Sequence, residues 1–370
     1  MFLLRKKCFF RRALLLVSIL SIVMLPQTAA ARTVSVGLAI GQSSVSVSSS
    51  SALSVTDGSG KKHALGTTAV FRSAGTNSVV AGNRTLRLPV SISSRHPLSF
   101  NKRRYRGGFR LVSSGSGITL LNVLDLEEYL RGVLKMEVNP AWSMEALKAQ
   151  AVISRTYALR SVLQNRGKGG YDLRDTVMSQ VYRGMNAEDP KTDQAIRATK
   201  GMVLKYGGEI AFTPFHSHSG GATADVTTVW GGNMPYLKGV NEDFQTESPH
   251  STWEASLSAA QVEDALRSAG VNVGRLQELR VEQSDPFGRP TTLRAIGTSG
   301  SKTLKSHSFR MAAGSNVIRS TLFSISSAAS SSSAPIPLAS LSQPKPVPPS
   351  PPAGTGVPTS LTPMSAAEER

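Results

Sequence analysis

Residues 118–162 read ITLLNVLDLEEYLRGVLKMEVNPAWSMEALKAQAVISRTYALRSV, and few backbones suit them. The pattern predicts a strand, a short helix, a break at Asn139-Pro140 and a long helix. Before the break, Leu126, Leu130, Val133 and Leu134 fall at i, i+4, i+7 and i+8, one face of a 3.6-residue period. Glu137 follows at i+11, on the same inward face if the helix continues. An acid placed there loses water, its pKa rises, and it keeps its proton nearer to neutral pH, as a general acid must. A plainer role also fits the spacing: Glu137 ends one helix, and the positive N-terminus of the next satisfies its charge. The long helix is rich in Ala, which favours helix and lets a neighbour pack closely. Pro140 suits its first turn, with Asn139 or Ser143 as N-cap. Gln150, Arg155 and Tyr157 stand out from it; Arg155 either reaches Glu137 or a substrate oxygen, or makes an ordinary ion pair.

The run LNVLDLEEYLRGVL-x-x-E-x-x-P-x-W-x-x-EALKAQAV-x-x-RTYAL closely resembles the core signature of the stage II sporulation protein D family, also called the SpoIID/LytB or amidase-enhancer domain. Members of that family characterised as enzymes are lytic transglycosylases that cut peptidoglycan glycan strands lacking stem peptides. The resemblance implies that Glu137 is the catalytic acid, since it aligns with that residue. Through RTYAL it implies a site or scaffold role for Arg155.

Two later segments extend the resemblance. YDLRDTVMSQVYRGMNAED is similar to the family's D-x-x-x-x-Q-x-Y-x-G, carried by Asp175, Gln180, Tyr182 and Gly184. Gln suits hydrogen bonds to sugar hydroxyls and Tyr suits ring stacking, although a structural turn would use the same Gly. FHSHSGGATADVTTVWGGNMPYLKGV is similar to the family's H-S-x-S-G-G, V-W and P-Y-L sequence, and follows a hairpin expected about Gly207-Gly208. On a strand, His216 and His218 would share one face. Two ligands do not make a zinc site, and the cysteines that some relatives add are absent, so no metal is expected. His216, Ser217 and Ser219 are instead expected to offer hydrogen bonds at a cleft, with Gly220-Gly221 allowing close approach. A Ser-His hydrolase fits less well: nucleophile-elbow spacing is missing, and Asp225 is the one evident orienting acid.

The flanks are simpler. Alternation in TVSVGLAI, a turn at Asp57-Gly58 and further strands through 78–92 and RRYRGGFRLV predict a β-rich region over 32–124. Arg103, Arg104, Tyr105 and Arg106 either line a groove or protect a strand edge. Residues 253–325 predict a helix and a strand pair about Asp285–Gly288, closing on SHSFRMAAGSNVIRSTLFSI. That segment resembles the family's terminal R…LRS-x-x-F pattern, with Ile318 in place of Leu. Beyond 326 the chain is Ser- and Pro-rich with too little apolar content to fold, so residues 326–370 are expected to be a disordered tail.

Residues 1–31 combine a basic start, an apolar run from Ala13 to Leu25 and small residues at 29–31, the form of a secretory signal peptide rather than a lasting membrane span. Cys8, the chain's one cysteine, lies inside it, which excludes disulfides, zinc thiolates and Cys nucleophiles from the mature protein. The net charge is +18; Arg5, Lys6, Lys7, Arg11 and Arg12 leave with the signal, so +13 remains. For an exported protein, in the periplasm or cell wall, that charge suits an anionic wall polymer better than nucleic acid.

The expectation is therefore an α+β protein: a signal over 1–31, a β-rich domain over 32–325 with a helix-break-helix core at 125–245, and the tail. The resemblance implies a lytic transglycosylase without cofactor, acting on glycan strands through Glu137, with Gln150, Arg155, Gln180, Tyr182, His216, Ser217 and Ser219 binding substrate. Ordinary glycosidases need two carboxyls. N-acetylmuramic acid carries its own nucleophile, the C6 hydroxyl, so a single acid can suffice. The rival expectation is a protein without chemistry that binds glycan and enhances a cell-wall amidase.

Overall fold

The computed structural model describes residues 33–242 and 252–326, except 116, 166, 167, 169 and 178, together with the backbone of 337–342 and 361–362. The expected signal segment lies outside the described residues. The fold is mixed helix and strand, and it divides into two compact units at Val203/Leu204.

In the first unit the short alternating stretches form β1 (Thr33–Gln42), β2 (Ser44–Ser48), β3 (Leu53–Thr56), β4 (Lys62–Leu65), β5 (Thr68–Ser73) and β6 (Ser78–Ala81). They continue as β7 (Arg84–Arg87), β8 (Val90–Ser93), β9 (Leu98–Phe100), β10 (Arg103–Tyr105), β11 (Gly108–Ser114) and β12 (Gly117–Asp125). Helices α1 (Leu126–Arg131), α2 (Leu134–Glu137) and α3 (Met144–Asn165), strand β13 (Leu173–Arg174) and helix α4 (Pro190–Ala198) follow. One sheet has the order β13-β1-β12-β11-β8-β3-β4, the other β10-β9-β2-β5-β6-β7. Period-two burial explains most of them: Val45 and Val47 in β2, Leu53 and Val55 in β3, and Val90 and Ile92 in β8 are buried, while the residues between them are exposed. β12 breaks that alternation, with its first six residues all buried. It pairs with β1 and β11 and also contacts β2 and β5 of the other sheet, as a near-continuous apolar run demands. Its one buried amide is satisfied: Asn122 Nδ2 donates to Arg106 O (2.9 Å) and Gly108 O (3.0 Å).

The helical core departs from the sequence reading in two places. The helix expected to run unbroken through 126–137 is interrupted at Gly132, giving α1 and α2. The ring of Tyr182 packs directly on the Gly132 backbone, where a Cβ would overlap it, so chain and ring can meet only at a glycine. Gly132→Ala is expected to cost about 2 kcal/mol in urea unfolding, because a close-packed site must be forced open. Second, Pro140 lies in a separate turn and not in the first turn of α3. Asn139 Oδ1 accepts from Ala141 N–H (2.9 Å) in that turn, whereas Ser143 Oγ accepts from Ala146 N–H (3.3 Å) and caps the helix. Along α3, Leu147, Ala151, Ala158, Leu159 and Val162 are buried, and the small alanines admit α1 and α4.

The basic strand has divided fates. Tyr105 is buried against Phe109, and β10 is the edge of its sheet. Arg106 forks onto Glu188 (2.6 and 2.9 Å), while Arg131 reaches Glu188 and Asp193 at 2.8 Å each, tying the turn after β10 to α1 and α4.

The second unit opens with the expected hairpin, β14 (Val203–Tyr206) and β15 (Glu209–Ile210), turning through Gly207-Gly208, both at positive φ. Then come α5 (Val226–Val229), β16 (Ser256–Ser258), α6 (Ala259–Ser268), β17 (Leu276–Ser284), β18 (Pro290–Gly297), β19 (Gly300–Lys305), α7 (Ser306–Ala313) and β20 (Ser324–Ser326). The antiparallel sheet β17-β18-β19 packs on α6 and α7 around Val262, Leu266, Leu293, Phe309 and Phe323. Within the Ser/Pro tail the backbone forms β21 (Pro337–Ser342), paired with β16 and β20, and β22 (Leu361–Thr362), beside β14; the rest of the tail lies outside the described residues. Among the described residues no helix is long and apolar enough to cross a membrane.

Candidate active site

Glu137 is the last residue of α2 and is half-buried. The N-terminus of α3 does not satisfy its carboxyl; Oε1 accepts from the backbone N–H of Val181 at 3.0 Å. Among the described residues no cation pairs with it. Burial pushes its pKa above the usual carboxylate range, and the Val181 N–H only partly opposes this. The group is thus a carboxyl biased toward its protonated form, with one oxygen fixed and the other without a hydrogen bond among the described residues. Met136 and Trp142, close to it in the chain, are the exposed apolar side chains of this segment.

The fixed oxygen depends on residues that sequence types alone assigned to sugar binding. Gln180 and Tyr182 flank Val181, and both are buried at 1% exposure. Gln180 Oε1 accepts from Tyr129 OH (3.1 Å) and its Nε2 donates to Ser154 O (3.3 Å). Tyr182 OH donates to Asn122 Oδ1 at 2.7 Å, and its ring lies 5.1 Å from that of Tyr129 and 5.9 Å from that of Tyr105. One side chain on each side of residue 181 is anchored in the core, so the intervening N–H is aimed at Glu137. Gly184 completes the turn at φ +58, with the Arg104 carbonyl where a Cβ would stand. Tyr182→Phe leaves Asn122 Oδ1 buried without its donor and is expected to cost about 1–3 kcal/mol, read as a lower urea midpoint.

Arg155 makes an ion pair, and a buried one. It is 0% exposed and forks onto Glu127 through Nε and NH2, both at 2.8 Å. Its remaining donors reach Ile196 O (3.3 Å), Met202 O (3.2 Å) and Thr199 Oγ1 (3.4 Å). Its fork is thus taken up by Glu127 rather than by Glu137 or a ligand. Gln150 is half-buried on α3 and donates to Ser154 Oγ at 3.2 Å.

The remaining expected residues belong to the second unit. His216 and His218 do not lie on a strand: β15 ends at Ile210, and Pro214 and the glycines keep the segment irregular, so the same-face argument lapses. His216 and Ser217 are exposed. His218 Nδ1 accepts from Gly220 N–H (3.0 Å). Ser219 is buried, donates to Glu242 and accepts from Gly221 N–H (3.0 Å), so its hydroxyl shapes its own loop. Sequence reasoning missed Arg289, which is 6% exposed and donates through NH2 to Ser219 O (3.0 Å) and Ala222 O (2.7 Å). Asp225 caps α5 and pairs with Lys238 (3.3 Å). Among the described residues no cluster of three His, Cys, Asp or Glu is placed to hold a metal ion.

Residues 114–206 match the SpoIID family model, described as Stage II sporulation protein. Over 157 residues the chain is 31% identical to Stage II sporulation protein D of Bacillus subtilis, covering 39% of this chain and 46% of that one. Residues 114–206 thus carry a segment similar to the SpoIID family. A second B. subtilis protein, named Amidase enhancer, is 33% identical over 184 residues, 49% of this chain and 24% of its own. An uncharacterized protein of Brachyspira hyodysenteriae is 29% identical over 205 residues, 55% of each chain. The alignments therefore span from a quarter to about half of these relatives. Glu137, Gln150, Arg155, Gln180 and Tyr182 lie inside the SpoIID match, and the HSHSGG segment lies beyond its end.

Proposed function

We propose that this protein is an exported lytic transglycosylase of peptidoglycan glycan strands, with Glu137 as its single acid and base. The observation that carries the reading is the state of Glu137: desolvated, unpaired with any cation among the described residues, and held by one backbone N–H. With Oε1 taken by Val181, the proton sits on Oε2. That proton passes to the glycosidic oxygen as the bond to C1 of N-acetylmuramic acid breaks. The resulting carboxylate then takes the proton of the C6 hydroxyl as that oxygen bonds to C1, giving a 1,6-anhydro end and regenerating the acid. Trp142, exposed beside the break, offers a face for a sugar ring. Gln150, half-buried on α3, adds an amide in the same unit.

The relative named Amidase enhancer favours a second reading, in which the chain binds glycan or a wall amidase and performs no chemistry. Incubation of residues 32–325 with peptide-stripped glycan strands, followed by mass spectrometry for 1,6-anhydro-muramyl ends, separates the two. Such ends establish the enzyme; bound but uncut glycan leaves the enhancer.

A further inference from the structure

The first unit holds a cleft of about 630 Å³ lined by strand residues and by the segment just past β13. Its walls are two strand edges that end their pairing early. β13 pairs with β1 only at Val36 and Gly37, so the edge of β1 over 38–42 has no strand beside it among the described residues. β9 pairs with β2 only at Ser48, which leaves the β2 edge over 44–46 open in the same way. Both edges line the cleft, as do Phe100 and Asn101 in the β9–β10 turn and Arg174, Asp175 and Thr176 just past β13. Strand edges without a partner strand among the described residues, on which Gln42 Nε2 already donates to Ile40 O (2.9 Å), form with one aromatic ring and several short polar side chains a lining suited to a ring carrying many hydroxyls.

Arg174 gives the cleft a charge preference. Its Nε donates to Tyr171 OH at 2.9 Å and its guanidinium carbon lies 5.4 Å from the Tyr171 ring centroid, which fixes the head group. Its two terminal nitrogens make no hydrogen bond or ion pair among the described residues, so the fork is free for a planar anion. Asp175 stands beside it, offset by Arg183 at 3.9 Å, and can accept an amide N–H.

We infer that this cleft, whose lining does not include Glu137, is a saccharide site that takes an acetylated amino sugar bearing a carboxylate, with Arg174 bound to the carboxylate. The choice of saccharide rests on the glycan reading above. In a strand without stem peptides each muramic acid exposes a free lactyl carboxylate; a stem peptide converts that group to a neutral amide. The cleft therefore selects the stripped strand by charge. Open strand edges also suit an extended peptide; the saccharide is chosen because one muramic acid brings a carboxylate for the Arg174 fork together with hydroxyls for the short polar side chains.

The test uses the full chain carrying Glu137→Gln, so that binding is read without turnover. Calorimetry compares N-acetylmuramic acid with N-acetylglucosamine, a neutral sugar lacking the lactyl group. The expected result is tighter binding of the acid, with the preference falling about tenfold in Arg174→Gln and unchanged melting. Equal affinity for both sugars, or a preference that survives Arg174→Gln, overturns the assignment. Binding of an extended peptide in place of either sugar does so as well. Binding is read apart from turnover, so muramic acid bound here while the wild-type chain yields no 1,6-anhydro ends would refute the transglycosylase reading and leave this one standing.

Discussion

Glu137→Gln is expected to lower glycan cleavage by about 10³-fold or more while the fold stays intact, because a general acid contributes 10²–10⁴-fold and no second carboxyl is assigned to the reaction. The substitution keeps an oxygen to accept from Val181 N–H and removes only the proton chemistry. Stability gives an independent readout. Burial raises the pKa of Glu137 in the fold above its unfolded value. The stabilisation linked to this group is then fully present below the unfolded carboxylate pKa and is lost as pH rises through the folded value. Glu137→Gln escapes that loss. Its melting temperature relative to wild type should therefore rise as the pH is raised from below the ordinary carboxylate pKa to the alkaline side. The wild-type kcat/KM should fall on the alkaline side as the acid ionises. A variant that retains 1,6-anhydro products, or that melts well below wild type at pH 8, would contradict the role given to this carboxyl.

The largest effect on stability is expected at Glu127. Glu127→Ala leaves the fully buried Arg155 guanidinium without its carboxylate and Gly201 N–H without its acceptor. Breaking a buried pair from one side costs about 3–5 kcal/mol, and the partial exposure of Glu127 places the expectation near the lower figure. Urea unfolding should show it as a fall in midpoint at unchanged slope. Removing both charges, as Glu127→Leu with Arg155→Met, should recover part of the loss, since two apolar groups of similar volume can replace a buried pair. A double variant no better than Glu127→Ala would mean that the other donors of Arg155, to residues 196, 199 and 202, carry the stability instead.

The β-rich first region, the hairpin at Gly207-Gly208 and the long Ala-rich helix were legible because each depends on local period and turn chemistry. Glu137 was legible as a candidate, although for a partly wrong reason. Its burial does not follow from a helix continuing through 126–137, since Tyr182 occupies the space at Gly132 and breaks it. What holds the acid is a backbone N–H, which has no sequence signal. For Gln180 and Tyr182 the residue types are ambiguous, because amides and phenols serve sugars and cores alike and only burial separates the two uses. The partner of Arg155 has no signature in the sequence, because its carboxylate lies 28 residues away, a separation no helical spacing reports.

Arg289 shows where such a motif stops being self-sufficient. The residues HSHSGG are contiguous, yet two of the carbonyls that give their loop its shape are held by a guanidinium some seventy positions downstream. A gene fragment ending between the two would preserve the spelling of the motif and lose its geometry. In transplanting or trimming this part of the protein, the indivisible length runs at least through residue 289.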